Sequence, residues 1–369
     1  MGREKDRFKQ LLVILPEGWQ EKAKELGALQ RAREIKTPEE LLRLILLYLT
    51  EGKSMAGTSA ITNLSGEATM SKIAVFKRIQ NSGEWLQWIC KNIYRRAGLL
   101  IEKPQWLKDR NVLLIDGSKD VKMGASPQYY MLHYSLDLFT LAGREFLITD
   151  DKTGEKISNF KELGKNDIVM ADRIYGTLTG IAHLKERGAD YILRLRARAF
   201  KVKDEKGKEI DLMKKFSCLM SGKYGEITGR LDMEGEKVPV RICALRKSVS
   251  NEWKGLQRLK KEKGGRPISA LQKEYNKYII VITSLGEDVS AEQALDLYRT
   301  RWQIEIAFKR LKSIFEYNEM PARKTENIKT WFYGKLVLAA LCETLVNTGR
   351  FSPSGGRKSK RRGTRACQS

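Results

Sequence analysis

Up to about residue 108, apolar positions recur at helical spacing. The segment TPEELLRLILLYLTEG opens on Thr37 and Pro38 in cap-like positions and stops at Gly52, which predicts an amphipathic helix ended by glycine. TSAITNLSGEATMSKIAVFKRIQNSGEWLQWICKNI then reads as short helices of helix-turn-helix character, with Ser71 as an N-cap and Ile73, Phe76 and Ile79 on one face. Lys72, Lys77 and Arg78 are displayed elsewhere, either as DNA contacts or as the solvated side of a small bundle.

At residue 111 the period changes. NVLLIDGSKD, QYYMLHYSLDLF and GREFLITD read as strands, and strand DIVMADRIYG, helix TLTGIAHLKERGAD and strand YILRLRA follow a short helical stretch. That order predicts an α/β fold built on one sheet. Residues 200–277 are charge-dense and read as a β-rich insertion ending in a flexible, basic LKKEKGGRP. KYIIVITSL restores strand character, one long helix is expected from about Ser290 to Phe315, and NIKTWFYGKLVLAALCETLV forms another that ends near Gly349.

Charge narrows the partner. The 369 residues include 69 Lys and Arg against 45 Asp and Glu, a formal charge of +24. The segment Arg350 to Ser369 holds seven basic residues and no acid and is expected to be disordered; without it the rest still carries +17. A body so basic favours nucleic acid as partner. A membrane is the weaker choice, because the best apolar runs, at 41–49 and 335–346, are short of the roughly 20 residues a span requires and contain charge. MGREKDRFKQ has no secretory pattern, so the expected location is the cytoplasm, in association with the nucleoid. Cys90, Cys218, Cys243, Cys342 and Cys367 form no C-x-x-C pair, and the histidines are His133 and His183. Any metal is therefore expected on carboxylates, which select hard ions such as magnesium or manganese.

Asp116 closes the apolar run VLLID, Asp172 closes IVMAD, and Glu305 lies in the long helix. Acids at the ends of neighbouring strands crowd one rim of a sheet and call for a cation, although aspartates also end strands simply by starting turns. On a continuous helix Tyr298, Arg301, Glu305 and Lys312 fall at roughly 0°, 300°, 340° and 320°, beside the apolar strip Leu297, Ile304, Phe308 and Leu311. An i,i+4 salt bridge accounts for Arg301 and Glu305 but not for Tyr298 and Lys312 on the same line.

The spacing of these four residues matches the Y-x2-R-x3-E-x6-K signature, and the chain resembles bacterial insertion-sequence transposases of the insertion sequence four family. LLIDGSKD, ADRIYG and YRTRWQIEIAFKRLKS resemble the family's blocks in order, and the likeness covers about residues 40–348. It implies a ribonuclease H-like catalytic core with a β-rich insertion, preceded by a helical DNA-binding domain. The divisions expected are 1–108, 109–199, 200–277, 278–348 and the tail 349–369. By resemblance, Asp116, Asp172 and Glu305 bind two Mg2+ ions, with Mn2+ as a substitute, while Tyr298, Arg301 and Lys312 hold phosphate. Arg173 and Tyr175 are further DNA contacts; Tyr278 and Trp302 are either a platform for an extruded base or core aromatics; and the basic residues of 254–266 track backbone.

The expected activity is metal-dependent cleavage and strand transfer on double-stranded DNA by a homodimer bound to terminal inverted repeats. GRFSPSGGRKSKRRGTRACQS departs from the family beyond the last helix, which bears on dimer formation. The alternatives are a truncated, noncatalytic remnant that inhibits transposition, or a structure-selective nuclease of the same fold.

Overall fold

The computed structural model describes residues 8–347 apart from 53, 97–101, 122–128, 151, 197–198, 234, 314–315 and 317–324. The expected basic tail and the predicted helix end at Phe315 lie outside the described residues. Helices α1 (Trp19–Glu25), α2 (Pro38–Leu47), α3 (Met55–Leu64), α4 (Lys72–Gln80) and α5 (Gly83–Arg96) precede the sheet. The α2 start is a capping box: the Thr37 side chain accepts from Glu40 N–H, and the Glu40 carboxylate accepts from Thr37 N–H. Ser71 caps α4 by accepting from Ala74 N–H at 3.2 Å. The buried face of α4 differs from the expected one, because Val75 and Ile79 are buried while Ile73 is 60% exposed.

Strands β1 (Asn111–Val121), β2 (Tyr129–Asp137), β3 (Gly143–Asp150), β4 (Asp167–Ala171), β5 (Asp190–Arg194), β6 (Tyr224–Met233), β7 (Glu236–Arg246) and β8 (Tyr278–Thr283) form a single sheet. Their order is β3-β2-β1-β4-β5-β8-β7-β6. β1, β4 and β5 are parallel; the remaining neighbours are antiparallel. All five residues of β4 are buried, and after Asp167, which pairs with Arg144, the run IVMA is apolar rather than alternating.

Alternation along β1 divides the core. Val112 and Leu114 join Ile168, Met170 and the helical residues of one cluster, while Leu113 and Ile115 join Val169, Ala171 and helix α6 (Leu178–Glu186) on the other face. The segment 200–277 is not a separate β-rich unit. After the short helix α7 (Leu212–Phe216), β6 and β7 extend the central sheet beyond β8. The basic stretch expected to be flexible is mostly helix: α8 (Val249–Lys263) ends at Gly264, whose φ of 55° is the left-handed cap, and α9 (Ala270–Asn276) follows. No residue of α8 or α9 is buried.

The expected long helix is two, α10 (Ala291–Arg299) and α11 (Trp302–Ser313). Around Thr300 and Arg301 the backbone bonds tighten to i,i+3, from Arg301 N–H to Tyr298 C=O and from Ile304 N–H to Arg301 C=O. The Thr300 hydroxyl donates to Leu297 C=O at 2.7 Å. The final helix, α12 (Thr325–Asn347), packs along α5. Gly334 permits that approach to the N-terminal helices, since a Cβ there would stand 2.5 Å from Leu49 Cδ1. One apolar cluster thus runs from Leu15 through the sheet to Leu341. Among the described residues no helix is long and apolar enough to cross a membrane.

Candidate active site

Asp116 is not the last residue of its strand, because β1 continues to Val121 along β2. It lies instead where β4 has ended. The parallel register runs from Asn111 opposite Asp167 to Leu114 opposite Met170, so two residues on Asp116 draws level with Asp172. Asp116 shares the phase of Leu114, on the sheet face that receives Ile304, Phe308 and Leu311 of α11. Tyr134, the β2 residue opposite Asp116, meets Phe308 edge to face at 5.6 Å between ring centres, which fixes the height of α11 over the strand. Glu305, three residues before Phe308, is exposed on that helix.

Arg301 links the acids. Its guanidinium is 3.7 Å from Asp116 Oδ2 and hydrogen-bonds the Glu305 carboxylate. The break before α11 puts Arg301 in the turn, where it reaches both. Asp172 Oδ1 accepts from Ile174 N–H at 2.7 Å, so Asp172 also builds the turn after β4. Burial pushes Asp116 up to about 7; Asp172 and Glu155 add to this, while Gly117 N–H and Arg301 oppose it. The donors are all carboxylate oxygens, and a group held near neutrality by crowding and burial is relieved by added positive charge, which fits a hard cation. With the side chains as they stand, no three ligating groups among the described residues are gathered around one point, and Arg301 supplies the positive charge.

Beside this acidic rim opens a cleft of about 1080 Å³, bounded by β5, α8, α9 and the α10–α11 turn. Arg173, Arg194, Arg196, Lys247, Arg258 and Lys263 line it, with Asp172, Arg301, Trp302 and Glu305 on the same wall. Among the described residues Arg173, Arg194, Lys247 and Arg258 form no salt bridge. Burial pushes Lys247 down to about 8, and Arg194 and Arg173 push it further the same way. Arg194 is lowered chiefly by burial, and it donates to Tyr278 C=O at 3.2 Å. Sequence reasoning missed Arg194 and Lys247, whereas Arg258 belongs to the basic stretch 254–266 expected to track backbone. For Arg194 a signal existed: the apolar run YIL closes on a charge, as VLLI does at Asp116.

The other candidates divide by burial. Trp302 is 51% exposed at the cleft, and Arg173 is exposed beside it. Lys312 borders a shallower hollow with Gly117, Ser118 and Glu305. Tyr298 is buried, and burial raises its phenol pKa against the pull of Arg194 and Arg301. Two more candidates are buried, and for Tyr278 this supports the core-aromatic alternative. Tyr278 is 2% exposed; its hydroxyl donates to Phe216 C=O at 3.1 Å and the Arg246 guanidinium covers its ring at 4.9 Å, so it presents no face for a base. Tyr175 is 1% exposed and cannot lie against a duplex. Lys72 and Lys77 are exposed on α4, while Arg78 donates to Arg31 C=O at 2.6 Å; none of the three lines the cleft.

Residues 148–342 match the family described as Transposase DDE domain. The chain is 31% identical over 358 residues to the putative transposase InsL of insertion sequence element IS186A from Escherichia coli strain K12, covering 94% of this chain and 95% of that protein. The chain belongs to the DDE transposase family. It is likewise 31% identical over 359 residues to the transposase of insertion sequence element IS421 from Escherichia coli, with 94% and 95% covered. The transposase of IS1151 from Clostridium perfringens is 25% identical over 219 residues, 54% of this chain and 45% of that protein. The acids at Asp116, Asp172 and Glu305 thus stand in a transposase, with the basic cleft alongside.

Proposed function

We propose that this transposase binds the terminal inverted repeats of an insertion element, cuts them and joins the cut ends to target DNA, with Asp116, Asp172 and Glu305 as the catalytic carboxylates. The observation that carries the reading is the shared rim: the β1/β4 register levels two of the acids, and the Tyr134–Phe308 contact holds the helix of the third above them. The order β3-β2-β1-β4-β5, with β1, β4 and β5 parallel, supports a ribonuclease H-like core within the larger sheet. We assign the helices of 1–108 to DNA contact through Lys72 and Lys77, and the strands and helices of 200–277 to one wall of the cleft.

In this reading the three carboxylates hold two Mg2+ ions, for which Mn2+ substitutes; when bound, they activate the attacking oxygen and stabilise the leaving one. The protein's own part is positioning. Arg173, Arg194 and Lys247 take the phosphate backbone in the cleft, where among the described residues their guanidinium forks and ammonium form no salt bridge. Trp302, exposed on the same wall, offers a ring to a base of the cut end. Arg301, which now contacts Asp116, would be free to take DNA phosphate if bound cations neutralised the rim, and Tyr298 and Lys312 flank it. Joining two ends requires a paired complex, so a homodimer on DNA is proposed, acting on the nucleoid in the cytoplasm. The likeness to named transposases over most of the chain does not favour a noncatalytic remnant. The test is incubation of the purified protein with labelled element ends and manganese. Nicks at the element boundary and joined products are expected; intact ends at saturating protein would refute the reading.

A further inference from the structure

Glu155 belongs to none of the roles assigned above, yet the fold takes some trouble to deliver it. It lies between β3 and β4, directly after Gly154, whose φ of 67° requires the left-handed region. The turn is pinned at both ends. Thr153 N–H and Oγ1–H donate to Asp150 Oδ1 at 3.1 and 2.8 Å, and Asn159, itself buried against His133, donates to Gly154 C=O at 2.9 Å.

The carboxylate so delivered meets β1 next to Asp116. A Cβ on Gly117 would stand 2.7 Å from Glu155 Oε1, 3.0 Å from its Cγ and 3.2 Å from its Cδ, so any larger residue there would push the carboxylate aside. Among the described residues Glu155 makes no hydrogen bond and no ion pair. Burial and the charge of Asp172 disfavour its ionised form. A second group points to the same gap. The Tyr175 hydroxyl is buried without a partner, and it lies within electrostatic reach of Asp116, Glu155 and Asp172 together. A buried phenol and a half-buried carboxylate left unsatisfied side by side are costly unless something polar comes between them.

We propose that Glu155 is a fourth carboxylate of the reaction centre, a positioning residue that accepts hydrogen bonds from water on the cation held by Asp116 and Asp172, with the Tyr175 hydroxyl completing that shell. The inference rests on the reading of Asp116 and Asp172 as cation ligands. Outer oxygens of this kind orient the inner ligands, and their loss typically weakens metal binding by about 10- to 100-fold.

The experiment is a calorimetric titration of the full-length protein with manganese, without DNA, for the natural chain and for Glu155→Gln, Gly117→Ala, Tyr175→Phe and Asp116→Asn. Glu155→Gln keeps shape and removes charge, and about tenfold weaker manganese binding is expected with a melting temperature in the absence of metal that does not fall. Gly117→Ala leaves Glu155 chemically intact but displaces it, and a comparable loss is expected; Tyr175→Phe should cost about threefold. Glu155→Asp should recover part of the affinity, which a merely structural role would not produce. Natural manganese affinity in Glu155→Gln together with a loss in Asp116→Asn would overturn the role of Glu155 and leave the centre standing. Natural affinity in Asp116→Asn as well would overturn both.

Discussion

The acidic rim and the basic cleft share a wall, and their ionisable groups are disturbed in opposite directions. Asp116 is pushed up to about 7 by burial, with Asp172 and Glu155 adding, whereas Lys247 is pushed down to about 8 by burial, with Arg194 and Arg173 adding. A fold using these charges for its own stability would set them against one another, since Asp172 and Arg173 are chain neighbours. Arg301 alone, among the described ion pairs, spans the two sets by reaching Asp116 and Glu305 from the cleft side. In the proposed reading each half keeps a charge for an outside partner: cations for the rim, a polyanion for the cleft. Clustered shifts of this kind mark functional sites more often than structural ones.

The largest effect separates the halves outright. Glu305→Gln removes one rim carboxylate and leaves every cation of the cleft in place, so cleavage of labelled ends in magnesium should fall at least about 10³-fold while end binding changes by less than about twofold. Cleavage at the natural rate would show that the rim is not where the chemistry occurs.

Next comes stability, where the sign follows from the direction of each shift. Asp116 has a folded-state pKa above its unfolded value, so the folded protein is favoured at low pH and loses that advantage as pH rises from about 4 to about 7. Asp116→Asn should therefore stabilise the metal-free protein by up to about 4 kcal/mol at pH 8 and by almost nothing at pH 4, even as it abolishes activity. Melting curves at the two pH values decide it, and a variant less stable at pH 8 would mean that Arg301 already compensates the rim. For Lys247 the sign reverses: its folded-state pKa is depressed, so stability rises as pH climbs from about 8 toward the ordinary lysine range.

The cleft gives the third effect. Lys247→Met should weaken binding to any duplex by about tenfold at low salt and reduce the slope of log affinity against log salt by about 1. Salt titrations by fluorescence anisotropy measure both quantities, and an unchanged slope would place Lys247 off the DNA path.

What the sequence disclosed follows the range of its signals. The apolar runs around Asp116 and Asp172 are local, and so are the caps at Thr37 and Ser71, each of which the structure bears out with a side-chain bond to the backbone N–H three residues on. The cleft was hidden because Arg173, Arg194, Lys247 and Arg258 come from four separated segments that only the sheet order brings together. Glu155 was hidden for the same reason, as its neighbour Gly117 lies on another strand. The joining of β6 and β7 to β8 is a matter of register between distant segments, on which alternation along one strand is silent. The helix wheel misled in a different way. Its apolar strip was sound, since Leu297, Ile304, Phe308 and Leu311 are all buried, but a wheel cannot show that the backbone breaks at Arg301.

That break makes Arg301 the finest probe of the comparison. In a continuous helix Arg301 and Glu305 would form an ordinary i,i+4 pair, worth about 0.2–0.5 kcal/mol, with no reach to the sheet. In the turn, the guanidinium also approaches Asp116, at the point where rim and cleft meet. Removing it leaves general attraction for DNA to the remaining cleft cations but takes away the one that senses the state of the rim. Arg301→Ala should accordingly weaken binding to cut ends about fivefold more than binding to random duplex of equal length, a difference of about 1 kcal/mol. Arg301→Lys, which keeps the charge and loses the fork, should fall between the two. Competition binding with cut-end and random duplexes measures the difference. Equal losses on both would reduce Arg301 to one more cation of the cleft and leave the two halves electrostatically independent.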